Sequence, residues 1–181
     1  MSNTDQVEIK LSKKKMKWML IGAGLFFGLG IWMLAGFSGA SSFNPMFIKV
    51  MGLLGTVFFG ASFIFLWRKI NDEKPGLVIN QDGIIDNSSG VSAGDIPWSD
   101  IVTIKTQKVF NQHFIMLMLR NPNVYIEKQT NTIKKKAMEL NFKNYGSPIS
   151  ISANTLECKF EELKHLLDER FNIYKYGSAI Q

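Results

Sequence analysis

The sequence predicts an α+β protein in two parts. A two-helix transmembrane hairpin comes first, followed by an antiparallel β-barrel or sheet with a helical insertion and a C-terminal capping helix. Three patterns carry that expectation. Two long charge-free runs lie within the first 67 residues. From residue 74 on, short apolar runs alternate with turn residues. The last apolar residues of the chain recur at helical spacing.

Trp18 to Ile48 contains no charged residue, a run of 31, and Val50 to Trp67 gives another 18 after Lys49. A membrane-crossing helix needs about 20 mostly apolar residues. The first run is too long for one crossing, and GFSGASSFNP, Gly36 to Pro45, interrupts it with turn residues. The expected order is a basic tail over 1–17, a helix over 18–36, a loop over 37–45 and a helix over 46–67. Lys10, Lys13, Lys14, Lys15 and Lys17 precede the first span, and Arg68 and Lys69 follow the second. The loop carries no charge. The positive-inside rule then predicts a multi-pass protein of the cytoplasmic membrane, with both termini cytoplasmic and the loop outside. Trp18, Trp32 and Trp67 lie near the span ends, where interfacial anchors sit.

A cleavable signal peptide is the rival to that organisation, with Ser38-Gly39-Ala40 as its small-residue site. The first span exceeds the apolar length of about 7–15 usual for such a segment, and a second span follows. Small residues mark the helix faces: Gly24 and Gly28 form a GxxxG, and Thr56 and Gly60 a second small pair. Such spacing lets backbones approach closely in lipid, either within the hairpin or across a homodimer seam. Neither span has a charge at its centre, which argues against an ion or proton pathway.

A polar connector, Asp72 to Gly76, leads into the second part, expected to occupy 74–174 at the cytoplasmic face. Leu77–Asn80 and Ile84–Asp86 read as short strands around the turn Gln81-Asp82-Gly83. Ile101–Val109 alternates as a half-buried strand does. His113–Arg120, HFIMLMLR, is apolar on both faces and so needs cover on both sides. Asn121-Pro122 opens a helical segment in which Ile126, Thr130, Ile133, Ala137 and Leu140 share one stripe, with a break at Asn131. That stripe is expected to face the sheet, leaving Lys135 outward with Lys134 and Lys136 beside it, as a solvated face or as contacts to anionic lipid headgroups. Pro148–Ala153 and Thr155–Glu157 read as strand, and Phe160, Leu163, Leu167 and Phe171 as a closing amphipathic helix.

The distinctive stretch GIIDNSSGVSAGDIPWSDI, Gly83 to Ile101, invites a functional assignment. Its residue types favour a structural one. Asp-Gly and Ser-Gly are turn pairs, and Pro97 suits an edge or bend. Trp98 and Ile101 lie three apart, a spacing that a short turn capped by Ser99 or Asp100 turns into two core side chains.

The formal charge of +6 sits mostly before the first span. Residues 74–181 hold 13 Lys and Arg against 11 Asp and Glu, which is no electrostatic footprint for nucleic acid. Cys158 is the only cysteine, and His113 and His165 are far apart in sequence. No Walker A, HExxH or GxSxG motif is present, so no cofactor and no metal are expected.

The chain resembles a family of small, uncharacterised bacterial membrane proteins with two N-terminal transmembrane helices and a cytoplasmic pleckstrin-homology-like (PH-like) domain. KPGLVIN (74–80), GIIDNSSGVSAGDIPWSDI (83–101), LRNP (119–122) and YGSPISIS (145–152) carry the resemblance. It implies a PH-like barrel of two bent sheets closed at one end by a C-terminal helix, with no catalytic residues to transfer. Leu77 to Asp86 contains no Lys or Arg, so phosphoinositide binding is not implied.

The expected function is a membrane-anchored, non-catalytic binding or scaffolding module that engages a protein partner at the inner face of the membrane, in a regulatory or immunity-type role. Two alternatives stay open. One is a structural membrane protein that associates through its helices. The other is an enzyme using the carboxylates Asp82, Asp86, Asp95 and Asp100.

Overall fold

A computed structural model describes residues 6–36 and 44–177. Helix α1 spans Lys13–Gly36 and helix α2 Pro45–Ile70. Both are longer than the expected spans 18–36 and 46–67, because the flanking Lys13–Lys17 and Arg68–Ile70 continue the helices. The Asn44 side chain caps α2 by accepting from the Met46 N–H at 2.8 Å, with Pro45 in the first turn. The expected external loop and the small-residue site Ser38–Ala40 fall largely in 37–43, outside the described residues.

Both helices are long and apolar enough to cross a membrane. Most of their large apolar side chains, among them Leu25, Leu54, Val57 and Phe58, are exposed. A core helix of a water-soluble protein would bury such groups. The helices pack as an antiparallel hairpin, with Gly30 of α1 against Gly52 and Thr56 of α2, and Phe27 and Gly24 against Gly60 and Phe63 further along. The hydroxyls of Thr56 and Ser62 donate to the carbonyls of Gly52 and Phe58, at 2.7 and 2.8 Å, so neither is left unpaired in an apolar medium.

The residues before and after this hairpin form a second unit. Its first sheet contains β1 (Val7–Ile9), β2 (Leu77–Ile79), β3 (Gly83–Asp86) and β4 (Gly94–Pro97), antiparallel in that order. Its second sheet contains β5 (Ile101–Val109), β6 (Gln112–Leu119) and β7 (Ser150–Ile151). The two sheets do not close into a barrel among the described residues, which corrects the barrel expected from the resemblance. Strand β7 is only two residues long, and a 3₁₀ turn at Ala153–Thr155 replaces the strand expected there. Ladders that short leave too few hydrogen bonds to join one sheet to the other.

The expected basic tail is divided. Lys13–Lys17 belong to α1, but Val7–Ile9 pair with Ile79–Leu77 at the edge of the first sheet. The segment continues to a bridge between Leu11 and Leu156, flanked by backbone bonds from the Glu157 N–H to Lys10 and from the Ser12 N–H to Thr155. Ile9 and Leu11 are buried. Two buried aliphatic side chains, each contributing about 1.5–3 kcal/mol, hold this short strand in place. The helical hairpin is therefore inserted between two paired strands.

Strand β6 buries Ile115, Met116 and Leu117 in succession, as an apolar run covered on both faces does. Helices α3 (Pro122–Glu127) and α4 (Thr132–Tyr145) follow it, separated as expected near Asn131, whose side chain caps α4 by accepting from the Ile133 and Lys134 N–H groups. Gly146 ends α4 in the left-handed conformation, and Met118 of β6 lies against it. Helix α5 (Phe160–Gly177) buries Leu163, Leu167 and Phe171 of the stripe expected from sequence, with Phe160 half-buried.

Candidate functional site

The Gly83–Ile101 stretch is a structural corner. Trp98–Asp100 forms a 3₁₀ turn between β4 and β5, and Trp98 and Ile101 both enter the core. The capping expected from Ser99 or Asp100 is absent; the turn has no side-chain cap. The Trp98 indole N–H instead donates to the Asn80 carbonyl at 3.0 Å, and the Trp98 backbone N–H donates to Asp82 O at 3.0 Å. Asn80 in turn accepts from the Asp82 and Gly83 N–H groups through its side chain. A Cβ at Gly83 would lie 2.2 Å from the Ile96 carbonyl, so only glycine fits where β3 meets β4. The indole lies 6.1 Å from the Phe171 ring of α5.

The four aspartates Asp82, Asp86, Asp95 and Asp100 do not come together. Asp86 is buried and folds the 87–93 loop, accepting from the Ser88 N–H (2.9 Å), the Ser88 hydroxyl (2.6 Å) and the Ala93 N–H (3.3 Å). Asp100 accepts from the Tyr125 hydroxyl at 2.7 Å, tying the 3₁₀ turn to α3. Burial, and then this carboxylate, push the Tyr125 phenol well above its ordinary value. Asp82 and Asp95 alone share a site, an open groove of about 270 Å³ whose remaining lining is Asn80, Gly83, Pro97 and three isoleucines. No group of three His, Cys, Asp or Glu stands ready for a metal ion among the described residues.

The small residues of the helices divide in the same way. A Cβ at Gly24 would meet the Phe63 ring at 3.5 Å, and one at Gly60 the Phe27 ring at 3.0 Å. Gly28 has nothing within 4 Å, so its face is not used by this hairpin. The tightest crossing involves two glycines that the small-pair pattern did not single out. A Cβ at Gly30 would lie 2.6 Å from Thr56 Oγ1, and one at Gly52 would lie 3.0 Å from the Gly30 carbonyl. Gly52 and Thr56 are themselves four apart, a signal that was present in the sequence.

Helix α4 is rotated away from the expected stripe, of which only Ala137 stays half-buried on this helix. Its buried residue is Met138, with Lys134, Ala137, Asn141 and Tyr145 half-buried alongside it. Ile133 is 80% exposed and Leu140 58% exposed. Lys136 and Lys143 are exposed on the same side, and Lys136, Glu139, Leu140 and Lys143 line one shallow surface depression. Lys134 and Lys135 are half-buried, and Lys135 lines the cleft against α3 with Glu127 and Glu139. Lys136 is thus the outward lysine, in place of Lys135, and the three lysines present no common patch.

No curated protein and no solved structure matches the chain. A family profile matches residues 5–149, a span that begins before β1 and includes both long helices, both sheets up to β7, and α3 and α4. The chain belongs to that family, DUF5381, a family of unknown function.

Proposed function

We propose that this chain is a membrane-anchored, non-catalytic module of bacterial type, whose PH-like unit faces the cytoplasm and docks a protein partner through the outer face of α4. The two-sheet arrangement with α5 against Trp98 supports the PH-like assignment, although the sheets stay open. The exposed apolar girth of α1 and α2 supports a bilayer around them. Lys10 with the lysines in the first turns of α1, and Arg68 and Lys69 in the last turn of α2, favour the cytoplasmic side for both flanks. Pairing of β1 with β2 adds an independent argument: strands that flank the hairpin and share a sheet lie on the same side of a membrane.

The outer face of α4 carries the docking proposal. Ile133 and Leu140 are large aliphatic groups held in water by a helix whose other face is already satisfied. Lys136, Lys143 and Glu139 share a surface depression with Leu140. An apolar centre with a rim of both charges is the anatomy of a protein-binding patch, and its excess of lysine favours an acidic partner surface. Anchoring in the membrane raises the effective concentration for a partner that is itself at the membrane.

The catalytic alternative is weakened by the commitment of Asp86 and Asp100 to hydrogen bonds within the fold. It now rests on Asp82 and Asp95 alone. Association through the helices remains an alternative for the Gly28 face.

Photo-crosslinking tests the docking surface. A crosslinker at Lys143 in cells should give one discrete protein adduct that disappears with Ile133→Asp or Leu140→Asp. Adducts only to lipid or to a second copy of this chain would overturn the proposal. Topology has its own check: a reporter active only outside the cytoplasm should score positive after Ser41 and negative after Gln181, and the reverse pattern would refute the orientation.

A further inference from the structure

The β5–β6 hairpin ends in a turn that neither folding nor packing explains. Val109 pairs with Gln112, which leaves Phe110 and Asn111 as a two-residue connection. Phe110 has φ 53°, the only non-glycine residue with positive φ among the described residues. Two-residue hairpin turns place Gly, Asn or Asp at such a position, because a Cβ there crowds the backbone. A bulky aromatic residue is a poor choice for it. The Phe110 side chain also gains nothing from burial, since the residue is 99% exposed. Local propensity and hydrophobic burial both argue against phenylalanine here. Sites that break both rules together are where a functional requirement is expected.

The charge around the tip identifies what such a ring would meet. From Ile101 to Arg120 there is no Asp or Glu, whereas Lys105, Lys108 and Arg120 lie along the hairpin. Lys105, Lys108 and His113 are exposed. This differs from the α4 face, where Glu139 stands among the lysines. An acid-free, basic hairpin with one aromatic side chain at its apex is complementary to an anionic lipid surface. Strand geometry sets the depths. Lys108 lies two residues back from Phe110, about 7 Å along the strand. Interfacial apolar groups sink about 5–10 Å into the boundary between headgroups and acyl chains. With the ring in that boundary, Lys108 is level with the phosphates and Lys105 lies further out.

We infer that the β5–β6 hairpin tip is a membrane-insertion finger: Phe110 enters the headgroup–acyl boundary of an anionic bilayer, Lys108 pairs with lipid phosphates, and Lys105 adds longer-range attraction to the charged surface. One aromatic ring and two lysines bind weakly, so the finger orients a unit that is already tethered. In this respect the inference rests on the membrane anchoring proposed above.

The full chain reconstituted in vesicles tests it. In a Cys158→Ala background, Asn111→Cys carries an environment-sensitive fluorophore beside an intact Phe110. The label should shift to the blue and be quenched by lipids brominated high on the acyl chain when the vesicles contain anionic lipid. Both effects should be lost with Phe110→Gly, a residue that suits the turn and so leaves the hairpin folded, and should be reduced by Lys105→Gln with Lys108→Gln. Trp18, Trp32 and Trp67 provide the internal reference. If those tryptophans are quenched and the Asn111 label is not, the finger is refuted while the anchoring stands. If none is quenched, the anchoring itself fails. A label that is silent in vesicles but shielded from an aqueous quencher in native membranes would assign the tip to a protein and overturn the lipid assignment.

Discussion

Truncating Trp98 to alanine should remove the largest side chain of the core and loosen the corner it organises. Trp98 is 1% exposed, so almost the whole indole would become cavity. Burial of that size costs about 3–5 kcal/mol when truncated. The Asn80 carbonyl would also lose its indole N–H at 3.0 Å, a bond with a net value of about 0.5–1.5 kcal/mol. The two losses overlap, and the expected destabilisation is about 4 kcal/mol, roughly a thousandfold in the folded-to-unfolded ratio. Trp98→Phe retains most of the packing but not the donor, and should cost about 1–2 kcal/mol. Phe171→Ala removes the neighbouring ring of α5. Because the two side chains share one site, the double variant should be less destabilised than the sum of the single ones by about 0.5–3 kcal/mol. Pulse proteolysis of the full chain in detergent across a urea series reads these values from cleavage within 74–177. A loss below about 1 kcal/mol for Trp98→Ala would show that the indole is not a core element. Strict additivity with Phe171→Ala would refute the packing of α5 on this corner.

The remaining expectations concern the strand before the hairpin, the helix crossing and the pH profile. Ile9→Asp places a charge in the buried edge of β1 and should destabilise the unit by several kcal/mol, as deletion of residues 1–12 should; unchanged protease resistance after that deletion would show that β1 is dispensable. Gly30→Val forces α1 away from Thr56 at a cost of about 1–3 kcal/mol, whereas Gly28→Val should cost little because nothing lies near it; equal effects on the melting temperature in detergent would contradict this crossing. The Tyr125 phenol is raised above its ordinary value of 10.0, so the folded state favours its neutral form. That stabilisation is fully present below pH 10 and is lost as pH rises beyond it, because the unfolded phenol ionises first. Tyr125→Phe should flatten the loss of stability above pH 10, and an unchanged slope would exclude Tyr125 as its source.

The features legible in the sequence are those whose cause is local. The two apolar runs follow from the length a helix needs in hydrocarbon, and the strand Ile101–Val109 and the Phe160–Phe171 stripe from periods of two and 3.6 residues. Trp98 and Ile101 were legible as core because a spacing of three fits a turn and no strand. Tertiary structure alone decided the rest. Val7–Ile9 is too short to signal a strand, and its partner, Leu77–Ile79, lies beyond two long helices in the chain. The α4 face departs from the sequence stripe because that stripe runs from Ile126 across Asn131. A new helix capped at Asn131 starts with its own rotation, so the phase of α3 does not carry over, and Met138 turns inward while Ile133 and Leu140 turn out. The roles of Asp86 and Asp100 depended on which donors the fold brought to them, Ser88 from the next turn and Tyr125 from another helix. A carboxylate's residue type sets what it can accept, but only the folded chain sets from whom.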